Sequence, residues 1–129
     1  MSEVKENLRY SEEHEWAFVV DDRTIRIGIS DHAQAQLGDI VFIEFPEIGS
    51  TISAGDSMGS IESVKTVSEL YCPVSGTITK VNTELEDAPE KVNSEPYEGG
   101  WIVELEIEGS MEEALKHLLS AEKYQQFID

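Results

Sequence analysis

Lys65 has the least ordinary setting of any residue in this sequence. It stands in Glu62-Ser63-Val64-Lys65-Thr66-Val67, between two strand-like segments, in a chain that has 9 Lys+Arg among 129 residues. A hairpin tip is where a lysine can be fully presented to another protein. Acylation of its amine removes the charge and extends the side chain into a long swinging arm. A lone lysine is more often a solvated cation, and composition alone leaves that reading ahead. Other side chains offer less. His14, His32 and His117 are far apart in sequence, with no CxxC, HExxH or EF-hand loop, so solvated or structural histidines are expected rather than a metal site. Gly55-Asp56-Ser57-Met58-Gly59 matches G-x-S-x-G. A nucleophilic serine of that kind needs a strand-to-helix turn, followed by an acid and then a histidine. Here a Gly-Asp turn precedes the serine and strand-like sequence follows it, which reads as a chance match. The acid pairs Glu12-Glu13, Asp21-Asp22 and Glu112-Glu113 arise by chance among 27 carboxylates and read as a solvated acidic face. Cys72, beside Pro73, reads as a small buried side chain.

The elements that must position Lys65 are short. Residues 15–20 are Trp- and Val-rich, and Asp21-Asp22-Arg23 marks a turn. Residues 24–30 alternate, with Ile25, Ile27 and Ile29 on one face, the period of a half-buried strand. Residues 1–10 read as a polar lead-in. Ser30 or Asp31 caps a short helix over 31–37 that ends at Gly38. Residues 39–45 predict a strand with Val41, Ile43 and Phe45 on one side. Segments 58–64 and 67–71 are the two strands that flank Lys65-Thr66. Pro73-Val74-Ser75-Gly76 is a turn before a strand over 77–82. Residues 83–100 are loop-rich, with a helical turn near 84–88, and 101–108 alternate again. Ser110-Met111-Glu112-Glu113 fits a capping box before a helix over 111–119, and Ser120 caps a second helix to about 128. Many short strands and then a helical C-terminus predict a mainly β fold, a small sandwich or barrel-like domain with peripheral helices. Trp16, Trp101, Ile27 and Val41 are expected in the core.

Composition narrows the function classes. A chain of 129 residues fits one domain, and 40% hydrophobic residues can form a moderate core. The formal net charge of −18 repels phosphate backbones and anionic lipid, so neither nucleic acid nor a membrane surface is expected as a partner. The same charge suits docking onto basic patches of other proteins. One cysteine cannot form an intramolecular disulfide, which fits a reducing compartment. The N-terminus carries no apolar signal region or Arg-rich transit pattern, so a bacterial cytoplasm is expected, or a mitochondrial matrix for a processed eukaryotic form.

Gly55-Asp56, then Gly59-Ser60-Ile61-Glu62-Ser63-Val64-Lys65, then Pro73-Val74-Ser75-Gly76-Thr77-Ile78, resembles the biotinyl/lipoyl attachment domain. More narrowly, Glu62-Ser63-Val64-Lys65 resembles the glycine cleavage system H proteins. So do four further segments: 10–16, ending in His14-Glu15-Trp16; 27–34; 37–41; and Val92-Asn93-Ser94-Glu95-Pro96-Tyr97. Gly99-Gly100-Trp101 fits as well, and the matches run in order from about residue 8 to the end. The resemblance implies a lipoyl-domain-like barrel-sandwich hybrid spanning 1–129 as a single carrier domain, with a core of about 24–108 and C-terminal helices over about 110–128. It implies no enzyme but a carrier, with lipoate joined covalently to Lys65. The arm would take the aminomethyl group of glycine from a glycine decarboxylase (P protein) to an aminomethyltransferase (T protein). A dihydrolipoyl dehydrogenase (L protein) would reoxidise it, and a lipoate ligase or lipoyl/octanoyl transferase would attach it. Glu62 and Ser63 lie beside the lysine and would help that attaching enzyme recognise it. Glu15 matches a position that contacts the loaded arm, against the plainer reading of an exposed strand-start acid. Thr66, Cys72 and Gln36 depart from the pattern; Gln36 removes an imidazole that some members carry there. An H-like lipoate-binding protein of lipoate relay or sulfur metabolism is the alternative. A monomer is the simplest state for so acidic a carrier.

Overall fold

The computed structural model describes residues 3–128. In chain order the elements are β1 (Arg9–Tyr10), β2 (Glu15–Val19), β3 (Thr24–Ile29), α1 (Asp31–Leu37), β4 (Ile40–Glu44), β5 (Thr51–Ile52), β6 (Ser57–Ser63), β7 (Val67–Tyr71), β8 (Gly76–Val81), α2 (Glu84–Asp87), α3 (Lys91–Ser94), β9 (Val103–Ile107), α4 (Met111–Leu115) and α5 (Ala121–Ile128). One sheet runs β1-β2-β3-β9-β8-β5 and the other β4-β6-β7. Neighbouring strands in both are antiparallel. This is the mainly β, two-sheet fold with marginal helices and a helical C-terminus that the sequence predicts.

The core lies between the sheets. Ile25 and Ile27 from β3, Ile43 from β4, Ile61 from β6 and Leu105 from β9 meet there with almost no exposure. Each such side chain contributes roughly 1.5–3 kcal/mol by leaving water. A second cluster forms on the other face of β2, where Leu8, Tyr10 and Trp16 pack against Tyr124 of α5. Both faces of β2 are therefore covered, which is why Glu15, Trp16 and Ala17 are buried in succession.

Three local expectations differ from the structure. Val41 is not core: it is 48% exposed. The β4–β6 register shifts between Ile40 and Phe42, so the extra residue turns Val41 and Phe42 outward together and leaves Ile40 and Ile43 inside. The polar lead-in contains a strand, because Arg9 and Tyr10 pair with Ala17 and Trp16 of β2, and Tyr10 also exchanges two backbone hydrogen bonds of 2.8 and 2.7 Å with Leu119. That exchange also ends the helix expected over 111–119 early, at Leu115. Trp101 is partly buried, with the Arg26 guanidinium 5.0 Å from its ring centre, whereas Trp16 and Ile27 are fully enclosed.

Candidate functional site

Lys65 sits at the tip of the β6–β7 hairpin, exposed. The tip is tightly fastened. Ser63 N–H donates to Thr66 O at 2.8 Å, closing the turn. Ser63 Oγ accepts from Lys65 N–H at 3.2 Å and Thr66 N–H at 3.1 Å, and donates to Thr66 O at 3.3 Å. Ser63 is itself 6% exposed, so its hydroxyl faces the turn and staples it. Val64 N–H donates to Asp39 O at 3.0 Å, tying the tip to the segment between α1 and β4. Glu62 is exposed on β6, with Phe42 and Val67 as its cross-strand neighbours.

The side chain of Lys65 then runs over Gly38. A Cβ at that position would stand 2.8 Å from Lys65 Cε and 3.7 Å from Nζ, and the backbone there has φ of +83°. Glycine answers both demands, a positive φ at the helix terminus and a bare surface under the lysine. Asn93 of α3 holds the same segment from below. Its Nδ2 donates to Gly38 O and to Gln34 Oε1, each at 2.9 Å, and its Oδ1 accepts from Ile40 N–H at 2.9 Å. Among the described residues Lys65 Nζ makes no ion pair, although the chain is rich in carboxylates.

Beside Gly38 a cleft of about 130 Å³ opens, lined by Leu37, Ile61, Ile29, His14 and Glu15 among others. Gln36, Ser68 and Glu69 also reach its wall, so Gln36 brings an amide to the cleft and no imidazole. Glu15 is 2% exposed. Period two places it on the core face of β2 with Ala17, opposite Ile29 of β3. Burial is the main cause that pushes its carboxyl up to about 8, against the lowering effect of Ser11 Oγ–H, which donates to Oε1 at 2.6 Å. The exposed strand-start acid is thus excluded as a description of Glu15. His14, next to it, has φ of +73°, and its Nδ1 bonds Tyr124 Oη at 2.8 Å. Burial and the nearby His32 ring hold the His14 imidazole below its ordinary value.

The remaining candidates do not join this site. Ser57 opens β6, on a strand rather than a strand-to-helix turn, and its hydroxyl donates to Glu69 Oε2 at 2.5 Å. His117 Nε2 bonds Pro73 O at 2.8 Å. Cys72 is buried, donates its thiol to Val74 O at 3.0 Å, and is pushed up to about 12 by burial. Asn93 and Gly38 carry more of the site than residue chemistry alone indicates. Their signal was positional, in the segments 92–97 and 37–41.

Two packed β-sheets with one unpaired lysine on a fastened hairpin tip define a carrier domain of the lipoyl-attachment type. The family model of the glycine cleavage H-protein matches residues 8–129. A glycine cleavage system H protein of Listeria monocytogenes is 55% identical over 127 residues, covering 98% of each chain. A probable glycine cleavage system H protein of Pyrococcus horikoshii is 50% identical, over 97% of this chain and 92% of its own. The crystal structure of a glycine cleavage system H protein from Mycobacterium marinum superposes with a TM-score of 0.86 at 38% identity, covering 95% of this chain and 97% of that one. The chain belongs to the glycine cleavage H-protein family.

Proposed function

We propose that this chain is the lipoyl carrier of a glycine cleavage system, with lipoate in amide linkage to Lys65 Nζ. The observation that carries the reading is the placement of an exposed lysine, unpaired among the described residues, over Gly38, the residue that follows Leu37 in the wall of a cleft that also holds the buried Glu15 carboxyl. When bound, lipoate supplies a dithiolane that accepts a one-carbon amine with reduction of its S–S bond and is restored by oxidation of the dithiol. The chain's own residues present and shelter. Ser63 and the Val64–Asp39 bond fix where the tip points. Gly38 lets the lysine stem lie close over the backbone at the end of α1.

Glu15 supplies a charge-dependent wall. Near neutral pH its raised proton affinity keeps most of it uncharged while the cleft holds no cation. A cationic amine brought into the cleft favours the carboxylate, and the resulting charge-assisted hydrogen bond forms only with the loaded cargo. Leu37, Ile29 and Ile61 give the same cleft an apolar stretch of wall. Carriage needs no bond-making side chain here, and we assign none. The partners are then the glycine decarboxylase that loads the arm, the aminomethyltransferase that unloads it, the dihydrolipoyl dehydrogenase that reoxidises it and the enzyme that attaches lipoate. Among the described residues no helix is long and apolar enough to cross a membrane. The bacterial relatives support a bacterial cytoplasm as its location.

The test is Lys65→Arg in a glycine cleavage system reconstituted from its purified components. The variant is expected to fold with an unchanged melting temperature, to accept no lipoate and to support no turnover. Turnover by the variant overturns the assignment.

A further inference from the structure

The outer face of the β4-β6-β7 sheet carries an apolar row that the carriage reading does not use. The register sets Phe42, Glu62 and Val67 side by side across the three strands. Phe42 is 56% exposed, Val67 64%, and Val64 at the tip 67%. Val41 joins them because the β4 irregularity turns it outward beside Phe42. Large apolar side chains left in water close to one another mark a contact surface, here one with the acidic Glu62 set between Phe42 and Val67. Glu62 stands within this group and Glu44 at its edge, both exposed. The group adjoins the Lys65 tip.

We infer that this face, Phe42, Val64 and Val67 with the acidic Glu44 and Glu62, is the docking surface for the enzyme that acylates Lys65. The inference rests on the carrier reading above. It selects that enzyme among the partners by reach. Enzymes that act on the far end of a lipoyl arm can stand off from the protein by the length of the arm. An enzyme that forms the amide must bring its acyl donor to bonding distance of Nζ itself. The tip is fastened by Ser63 and Asp39 and cannot extend to meet it. The acylating enzyme therefore closes over the residues that flank the lysine and meets the apolar row. The complementary surface is an apolar mouth ringed by Lys or Arg, which pairs with Glu44 and Glu62 and with the −18 charge behind them.

The experiment measures kcat/KM for enzymatic attachment of octanoate or lipoate to the full chain, for the unaltered protein and for Phe42→Thr, Val67→Thr and Glu44→Lys. Each variant is also driven to full lipoylation by long incubation and assayed for reduction of its arm by dihydrolipoyl dehydrogenase. Phe42→Thr and Val67→Thr are expected to lower attachment at least tenfold, and Glu44→Lys to lower it severalfold with a weaker dependence on salt. Reduction of the arm is expected to stay within twofold in all three. Attachment within twofold of the unaltered chain, or equal losses in both assays, overturns the surface. A variant with a lowered melting temperature is set aside in favour of Glu44→Lys, an exposed polar position whose replacement leaves the core intact. Failure of the unaltered chain to be acylated at Lys65 overturns the carrier reading instead.

Discussion

Glu15 is the residue on which chemistry and stability meet. Its carboxyl, ordinarily near 4.5, is held at about 8 in the folded chain, chiefly by burial. Folding therefore favours the protonated form. The stabilisation is complete below about pH 4.5, falls as the pH rises through the interval to about 8, and is flat above that. At about 1.36 kcal/mol per pH unit the loss is on the order of 5 kcal/mol. Glu15→Gln keeps an acceptor for the Ser11 hydroxyl and cannot ionise. It is expected to leave the melting temperature nearly unchanged at pH 5 and to raise it clearly at pH 8.5, by thermal denaturation. It is also expected to speed hydrolytic loss of aminomethyl cargo from the arm. Equal melting shifts at both pH values contradict the buried-acid account. The sequence showed a carboxylate beside Trp16 but could not show its burial. Its burial comes from the core face of β2, where Ile61 and Leu70 of the other sheet stand beside it, residues far along the chain.

At the scale of elements, the site is a hairpin tip resting on the junction of α1 and β4. Asn93 supports that junction with three hydrogen bonds. Asn93→Ala is expected to lower stability by about 2–3 kcal/mol, about 1 for each bond lost, and to leave Lys65 less well placed for attachment. Chemical denaturation with lipoylation kinetics checks both. Gly38→Ala forces a left-handed backbone on a side-chain-bearing residue and presses a methyl onto the lysine stem, at a cost of roughly 1–3 kcal/mol. Both flanking strands of the hairpin were legible, because apolar alternation and the turn residues around Lys65 agree. The β4 register was not. Alternation across 39–45 gives one inward set, and only the pairing with β6 reveals the extra residue that turns Val41 out. Strands β1 and β5 were also hidden, since two residues are too short for any period to show, and helix α3 lies in a stretch whose Pro and Gly read as loop. They are held by tertiary bonds such as Tyr10–Leu119.

At the scale of the whole molecule, charge dominates. With 27 acidic against 9 basic residues, the folded surface repels itself, and the described ion pairs are mostly exposed. Raising sodium chloride from low ionic strength to about 0.5 M shortens the screening length below about 10 Å. The melting temperature is expected to rise over that range while affinity for the partner enzymes falls. A calorimetric salt series and binding isotherms check the two directions. This much was legible from composition, and the mainly β plan from the alternation and spacing of the short strands. The depth of the cleft was not, since it depends on how the two sheets close. The central claim is that Lys65 carries the working group. It is tested most directly by the intact mass of the chain from a lipoate-replete host, with peptide fragmentation to place any addition. The account predicts one lipoyl group, on Lys65. A bare Lys65 where a known carrier is modified in parallel, or a lipoyl group on another lysine, contradicts it.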